Sequence, residues 1–319
     1  MVNDVNLAVV IPCYQVKAFI LNVVKEIPTQ VNQIIVVDDA CPEGSGRYLQ
    51  SVLNDPRLTI LFNTENLGVG GAVKRGYSQA LSNGAEIIVK LDGDGQMDPK
   101  LIPTLIKPLV ELKGDYSKGN RFFNIEHVKN MPKMRIIGNL VLSFFSKFAT
   151  GYWKVFDPTN GFTAITSSKL RKLDMEKIDN RYFFESDILF RLNLARAVVI
   201  DIPMESKYGS EVSNLKIKRV LVEFPAKHTR NFFKRIAYTY YLRDFTLASL
   251  ELPIGLGLTF FGFISGIANF IDSQSSNEAT PTGTLILISM SVLVGIQFIL
   301  SFFAYDIDSA PTIPTGKLG

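Results

Sequence analysis

At 319 residues the chain is long enough for one large domain with an appendage, and a net charge of only +4 says less than how that charge is distributed. Of the 34 Lys+Arg, all but Lys317 lie in the first 252 residues, which leaves a strongly apolar remainder. The opening M-V-N-D-V-N-L-A-V-V-I-P lacks a basic region and its apolar run is too short for a secretory signal, so none is expected.

Four apolar runs follow: L-A-V-V-I (7–11), Q-I-I-V-V (33–37), L-T-I-L-F (58–62) and E-I-I-V-K-L (86–91). Each is short, rich in branched residues and ends at turn or acidic residues, the pattern of buried strands. Residues 18–26, 45–53 and 69–83 between them read as helices, so the alternation predicts a parallel α/β sheet covered on both faces. Ligands bind beyond the carboxyl ends of such strands. The segments there are P-C-Y-Q, D-D-A-C, N-T-E-N and D-G-D-G-Q. The two cysteines, Cys13 and Cys41, read as small buried side chains without a role. Gly68, Gly70 and Gly71 lack the third glycine of a dinucleotide loop and predict only a tight turn from strand to helix.

Further along, a fifth strand is expected at 115–119, helices at 136–148 and 185–196, and a strand at 197–202. Residues 216–243 carry eight Lys/Arg interleaved with Phe232, Phe233, Ile236, Tyr240 and Leu242, which suits a helix in the headgroup region of a membrane or an ordinary amphipathic helix packed on the domain. Nucleic acid is disfavoured as a partner, because these bases adjoin an apolar span. Two uncharged runs complete the chain, at 253–271 and 284–305. As helices they are about 28 and 33 Å long, enough to cross a bilayer core of roughly 30 Å. They predict a transmembrane hairpin, and the uncharged turn after a basic segment puts the large domain in the cytoplasm, at the plasma membrane. Gly262 and Gly266 form a G-x-x-x-G spacing that would permit helix pairing and a homo-oligomer. The expected organisation is a domain over 1–214, juxtamembrane helices over 215–252, the hairpin over 253–305 and a tail over 306–319.

K-L-D-G-D-G-Q-M-D-P places Asp92, Asp94 and Asp98 together after the fourth run. An EF-hand loop would need Gly and Glu where Met97 and Pro103 stand, so calcium in that mode is excluded. Asp98 before Pro99 reads as a helix N-cap. Asp92 and Asp94, two apart on a strand end, face one way and suit Mg²⁺ or Mn²⁺ shared with a substrate diphosphate.

The motifs together resemble the family 2 glycosyltransferases, whose domain is the nucleotide-sugar-binding GT-A fold, and among them the polyprenyl-phosphate glycosyltransferases related to dolichyl-phosphate mannose synthase. V-V-I-P-C-Y is similar to I-P-x-Y, V-V-D-D-A to V-D-D-G, and N-L-G-V-G-G-A-V-K-R-G to N-x-G-x-G-x-A-x-x-x-G. D-G-D-G-Q-M-D-P is similar to D-A-D-L-Q-x-x-P, K-G-N-R-F to G-S-R-F, and D-P-T-N-G-F to D-x-x-S-G-F. The resemblance implies a Rossmann-like catalytic domain that inverts the anomeric centre, a UDP- or GDP-linked sugar as donor and a polyprenyl phosphate as acceptor. It implies that Pro12 and Tyr14 line the nucleotide pocket and Asp39 bonds the base. It also implies that Asp92, Asp94 and Gln96 hold metal and diphosphate, and that Arg121 faces a phosphate. S-N-L-K resembles a G-x-S-K segment, which gives Ser213 and Lys216 a phosphate-gripping role.

Glu185 and Asp187 resemble the segment that supplies a base. Two apart on a helix they point to different sides, and the expectation favours Asp187, with the other acid free for an ion pair such as one to Arg191. Arg121, just past the fifth strand, has no obvious structural task in the sequence. Transfer to a lipid hydroxyl is the competing enzymatic reading. Polymer synthesis is disfavoured because Q-x-x-R-W is absent and the one tryptophan, Trp153, lies in G-Y-W-K. A non-catalytic tethered module would predict an eroded D-x-D, which is intact.

Overall fold

The computed structural model of the chain describes residues 5–123, 133–204 and 217–317. They fall into two compact units, Met1–Phe232 with Pro311–Gly319, and Phe233–Ala310.

The first unit opens as β1 (Leu7–Cys13), α1 (Ile20–Lys25), β2 (Gln33–Asp38), α2 (Ser45–Val52), β3 (Leu58–Phe62), α3 (Val69–Ser82), β4 (Ile87–Lys90) and α4 (Ile102–Val110). It continues with β5 (Tyr116–Asn120), α5 (Lys133–Thr150), β6 (Thr163–Thr166), α6 (Ser167–Leu170), α7 (Phe184–Leu194), β7 (Val199–Pro203) and α8 (Ile217–Ala237), whose residues from Phe233 onward belong to the second unit. Among the described residues, seven strands join one sheet in the order β3-β2-β1-β4-β6-β5-β7. Successive side chains of a strand point to opposite faces, and both faces of this sheet are covered. Leu7, Val9 and Ile11 of β1 pack with Val23 and Val24 of α1 and Leu105 of α4, whereas Ala8 and Val10 pack with Val73 and Tyr77 of α3 and Ile188 of α7.

The sheet is not parallel throughout. β6 runs antiparallel to both β4 and β5, while the other neighbours are parallel. Its four residues, T-A-I-T, are too short to stand out as a run. Asp98 caps the 3₁₀ turn Pro99–Leu101, its Oδ1 accepting from Lys100 N at 3.0 Å. Near the C-terminus, Thr315 N donates to Asp115 Oδ1 at 2.8 Å, tying the last residues to the start of β5.

The second unit holds two apolar helices, α9 (Leu247–Ser276) and α10 (Thr282–Asp308), each long enough to cross a membrane. Their apolar side chains, among them Phe260, Ile264, Ile267, Leu287 and Leu293, face outward. Gly262 lies where an added Cβ would meet Ile288 O at 3.1 Å, so the close approach it permits is to the other helix of the same hairpin. Arg235 and Asp306 form a buried two-pronged pair at 2.6 and 3.0 Å, and Tyr240 OH donates to the same carboxylate at 2.6 Å.

His228 on α8 is buried against Phe183, with ring centroids 4.9 Å apart, and neither ring nitrogen has a hydrogen-bond partner among the described residues. Burial pushes its pKa down to about 4 from the ordinary 6.5. The native state therefore resists a proton that the unfolded chain accepts, so stability is full above pH 6.5 and falls as pH drops from there towards 4. The loss should approach about 3 kcal/mol at the acid end. Denaturant titrations at stepped pH should show this slope in the native chain and a flatter profile in His228→Phe.

Candidate active site

The carboxyl ends of β1, β2 and β4 meet the amino end of β6 at one edge of the sheet, where Cys13 is in register with Asp38 and Lys90 with Thr163. The backbone there is unusual. Gln15, Ala40 and Asp157 hold φ of 56°, 52° and 54°, a left-handed conformation that costs a side chain about 1–2 kcal/mol each. Such strain collects where geometry serves a ligand.

Beyond β1, Pro12 is half-buried and Tyr14 exposed. Beyond β2, two adjacent acids brace the edge. Asp38 accepts from Cys41 N and Gly46 N, both at 2.8 Å. Asp39 accepts from Asn63 Nδ2 at 2.6 Å, Leu67 N at 3.0 Å and Gly68 N at 2.7 Å. Both oxygens of Asp39 thus already hold the loop that leads into α3.

The centre of the edge is built on Lys90, the last residue of β4 and only 1 % exposed. Its Nζ lies 2.7 Å from Asp92 Oδ1 and 3.2 Å from Glu185 Oε1, and donates to Gly161 O at 3.3 Å. Burial opposes the charge, but the two carboxylates more than offset it and raise the lysine pKa above its ordinary value. Burial also raises the pKa of Glu185, with the Lys90 ammonium opposing and the Asp92 charge adding to it. Asp92 keeps 28 % of its side chain exposed towards solvent. Asp94 follows the buried Gly93 and accepts from Gln96 N at 3.0 Å, so Asp94 and Gln96 share one short turn. No third His, Cys, Asp or Glu among the described residues completes a metal-binding group. Two carboxylates with the remaining positions open to water and phosphate fit Mg²⁺ or Mn²⁺, which are held that way.

Of the two acids on α7, the sequence favoured Asp187. The structure instead sets Glu185 beside Asp92, joined through Lys90. Asp187 is 2 % exposed and accepts from Asp179 N, Arg191 Nε and Asn231 Nδ2 at 3.0, 3.1 and 3.0 Å. Two positions on a helix are about 200° apart, so one acid faces the sheet edge and the other the neighbouring elements. Arg121 also differs from expectation, because it has a structural partner. Its Nε and Nη2 donate to the two oxygens of the fully buried Asp157, both at 2.6 Å. Burial alone would raise the Asp157 pKa, and the guanidinium holds it below the usual carboxylate range. Ser213 and Lys216 lie outside the described residues. Lys90, Asp157 and Gly161 carry this site without having been singled out in the sequence. Their signals were a lysine inside a buried strand and the D-P-T-N-G-F motif.

Residues 8–174 match the family described as Glycosyl transferase family 2. A UDP-N-acetylglucosamine–dolichyl-phosphate N-acetylglucosaminyltransferase of Methanococcus voltae is 28 % identical over 235 residues, covering 69 % of this chain and 93 % of the relative. An undecaprenyl-phosphate mannosyltransferase of Micrococcus luteus is 27 % identical over 175 residues, covering 54 % of this chain and 71 % of the relative. Among solved structures, glucosyl-3-phosphoglycerate synthase from Mycobacterium tuberculosis, in complex with Mn²⁺, UDP and glucosyl-3-phosphoglycerate, superposes with a TM-score of 0.53 at 16 % identity. It covers 72 % of this chain and 80 % of that one. The chain belongs to glycosyl transferase family 2, is a glycosyltransferase, and carries the GT-A fold.

A side chain at position 161 would collide with Lys90 Nζ and Asp92 Oδ2. Gly161→Ala should therefore displace the pair at the sheet edge while leaving both core faces intact. A misplacement of this kind costs about 10²-fold in rate. Sugar transfer by the variant should fall by that order, with an unchanged far-ultraviolet spectrum as the control.

Proposed function

We propose that the chain moves one sugar from a nucleoside-diphosphate sugar to a polyprenyl phosphate, with inversion, at the membrane surface. The observation that carries this reading is the state of its acids. Asp187 is locked in a buried network and Glu185 is tied to the Lys90 ammonium, so neither carboxylate is turned towards an acceptor hydroxyl. A hydroxyl acceptor must lose a proton as it attacks and gains about 10²–10⁴ from a positioned base. A phosphate monoester, with its second pKa near ~6, is largely dianionic at neutral pH and attacks without one. The names of the relatives, which act on dolichyl phosphate and undecaprenyl phosphate, point the same way.

In this reading an acceptor phosphate oxygen forms the new bond to the anomeric carbon as the bond from that carbon to the nucleoside diphosphate breaks. Asp92 and Asp94, with Gln96 beside them, hold Mg²⁺ or Mn²⁺, which when bound takes up charge on the leaving diphosphate. Pro12 and Tyr14 border the nucleotide, near Asp39. Arg121, oriented by Asp157, offers a cation to one of the phosphates, and Ser213 and Lys216 are assigned to phosphate as well. Membranes holding the enzyme, given labelled nucleotide sugars in turn and undecaprenyl phosphate, should yield an acid-labile labelled lipid. The rate should rise with an apparent pKa near that of the acceptor phosphate. Asp94→Asn and EDTA should each abolish it, and undiminished turnover in EDTA would remove the metal. Labelled diacylglycerol in place of labelled polyprenyl phosphate would favour the hydroxyl reading.

The outward-facing apolar side chains of α9 and α10 would be poorly tolerated in water and suit a bilayer. With the basic segment before α9 and no Lys or Arg in the turn after it, the catalytic unit belongs in the cytoplasm, at the plasma membrane. A cysteine placed at Ser275 should react with an impermeant reagent added outside the cell, and one placed at Lys113 should not. The reverse pattern would invert the orientation.

A further inference from the structure

We propose that Lys90 is a positioning residue that limits how many carboxylate oxygens reach the metal, and so keeps coordination sites open for the donor diphosphate. The inference rests on the metal reading above. A lysine ammonium has three N–H donors, and the Lys90 Nζ has three acceptors around it: Asp92 Oδ1 at 2.7 Å, Glu185 Oε1 at 3.2 Å and Gly161 O at 3.3 Å. They come from the strand's own continuation, from α7 and from the loop before β6, so the ammonium joins three separate parts of the chain. Its side chain is 1 % exposed and that of Glu185 is 13 % exposed. Neither group is a solvated surface charge.

The chemistry of the cation gives this arrangement a purpose. Mg²⁺ and Mn²⁺ accept about six oxygens in a tight octahedron, and a site that supplied most of them from protein would leave no position for phosphate. Glu185 is close enough to the D-x-D segment to share the ammonium that holds Asp92. Without Lys90, two carboxylates would face each other across a poorly hydrated gap and could be relieved only by protons or by a metal. With Lys90, Glu185 is neutralised and one oxygen of Asp92 is occupied. A metal held there would then meet Asp94, Gln96, the remaining oxygen of Asp92 and the substrate.

The test is a titration of the purified full-length chain in detergent with Mn²⁺, followed by electron paramagnetic resonance, alone and with UDP or GDP. Lys90→Met should bind Mn²⁺ alone about fivefold or more tightly, because an unpaired carboxylate is released beside the site. It should also lose most of the additional affinity that UDP or GDP confers on the native protein. The double variant Lys90→Met/Glu185→Gln should return Mn²⁺ affinity to within about twofold of native, since the released charge is gone. Should Lys90→Met fail to fold, the near-isosteric Glu185→Gln serves by itself. It leaves the ammonium with one carboxylate and should weaken Mn²⁺ binding about threefold. Native affinities in Lys90→Met, or in Glu185→Gln if that variant stands in, would overturn the inference while leaving the metal reading in place. A native protein that binds no Mn²⁺ with either nucleotide would overturn both.

Discussion

An ammonium buried at the end of a central strand is the constraint on which the rest of this site depends. Taking an ion out of water costs several kcal/mol even after the protein relaxes, and only close, well-directed partners offset it. Lys90 obtains two carboxylates and a carbonyl, and each partner is thereby fixed in turn. Asp92 is drawn to the sheet edge, α7 must present Glu185 rather than Asp187, and the loop before β6 must come close enough to offer Gly161 O. That last approach explains why position 161 is glycine, since any Cβ there would overlap the ammonium and the carboxylate. Removing one partner from such a group typically costs 3–5 kcal/mol, because the remaining charges stay buried without compensation.

The sequence was informative wherever a local pattern decided the structure. β1 to β4 stand out because each is a continuous branched run buried on both faces, and Asp98 before Pro99 announces its cap without any help from the fold. The long connection after β5 hides β6, a four-residue strand whose antiparallel place between β4 and β5 is set by tertiary pairing. Arg121 looked unemployed for the same reason, because Asp157 is 36 residues away along the chain. The choice between Glu185 and Asp187 turned on the rotation of one helix. Lys90 carries little signal of its own in the sequence, because a lysine ending a strand usually extends its charge into water. Whether this one does depends on α7, which begins more than ninety residues later.

The second unit shows a different division of labour between composition and geometry. Its helices were legible from composition alone, since both uncharged runs are long and apolar enough to cross a membrane. How the two helices meet was not. Gly255, Gly262 and Gly295 are buried between them, and at each an added Cβ would press on the facing helix. Small residues that let backbones approach are the usual means of helix association where the hydrophobic effect is weak. The charged pair at the end of the hairpin belongs to the same logic. Arg235 meets Asp306 two-pronged, with Tyr240 adding a third bond to the same carboxylate, so the one acid buried in α10 is fully engaged.

Lys90 also has a counterpart one strand away from β6, and together they account for the strained segment between them. Lys118 of β5 is 1 % exposed and donates to Phe156 O at 2.6 Å, while Lys90 of β4 donates to Gly161 O at 3.3 Å. Asp201 of β7 reinforces the first anchor, accepting from Phe156 N at 2.8 Å and lying 3.6 Å from the Lys118 ammonium. The loop from 156 to 161 is thus pinned at both ends by buried cations on the two strands that flank β6. A left-handed, non-glycine residue persists only where its surroundings over-determine it, and Asp157 sits between those two anchors with φ of 54°. From that position its carboxylate grips the Arg121 guanidinium with both oxygens. The arginine is therefore oriented by the loop before any ligand arrives. On the proposed function, a cation held in advance needs no reorganisation when charge develops in front of it. The D-P-T-N-G-F segment thus acts as a frame, which sets Arg121 at one end and leaves room for Lys90 and Asp92 at the other.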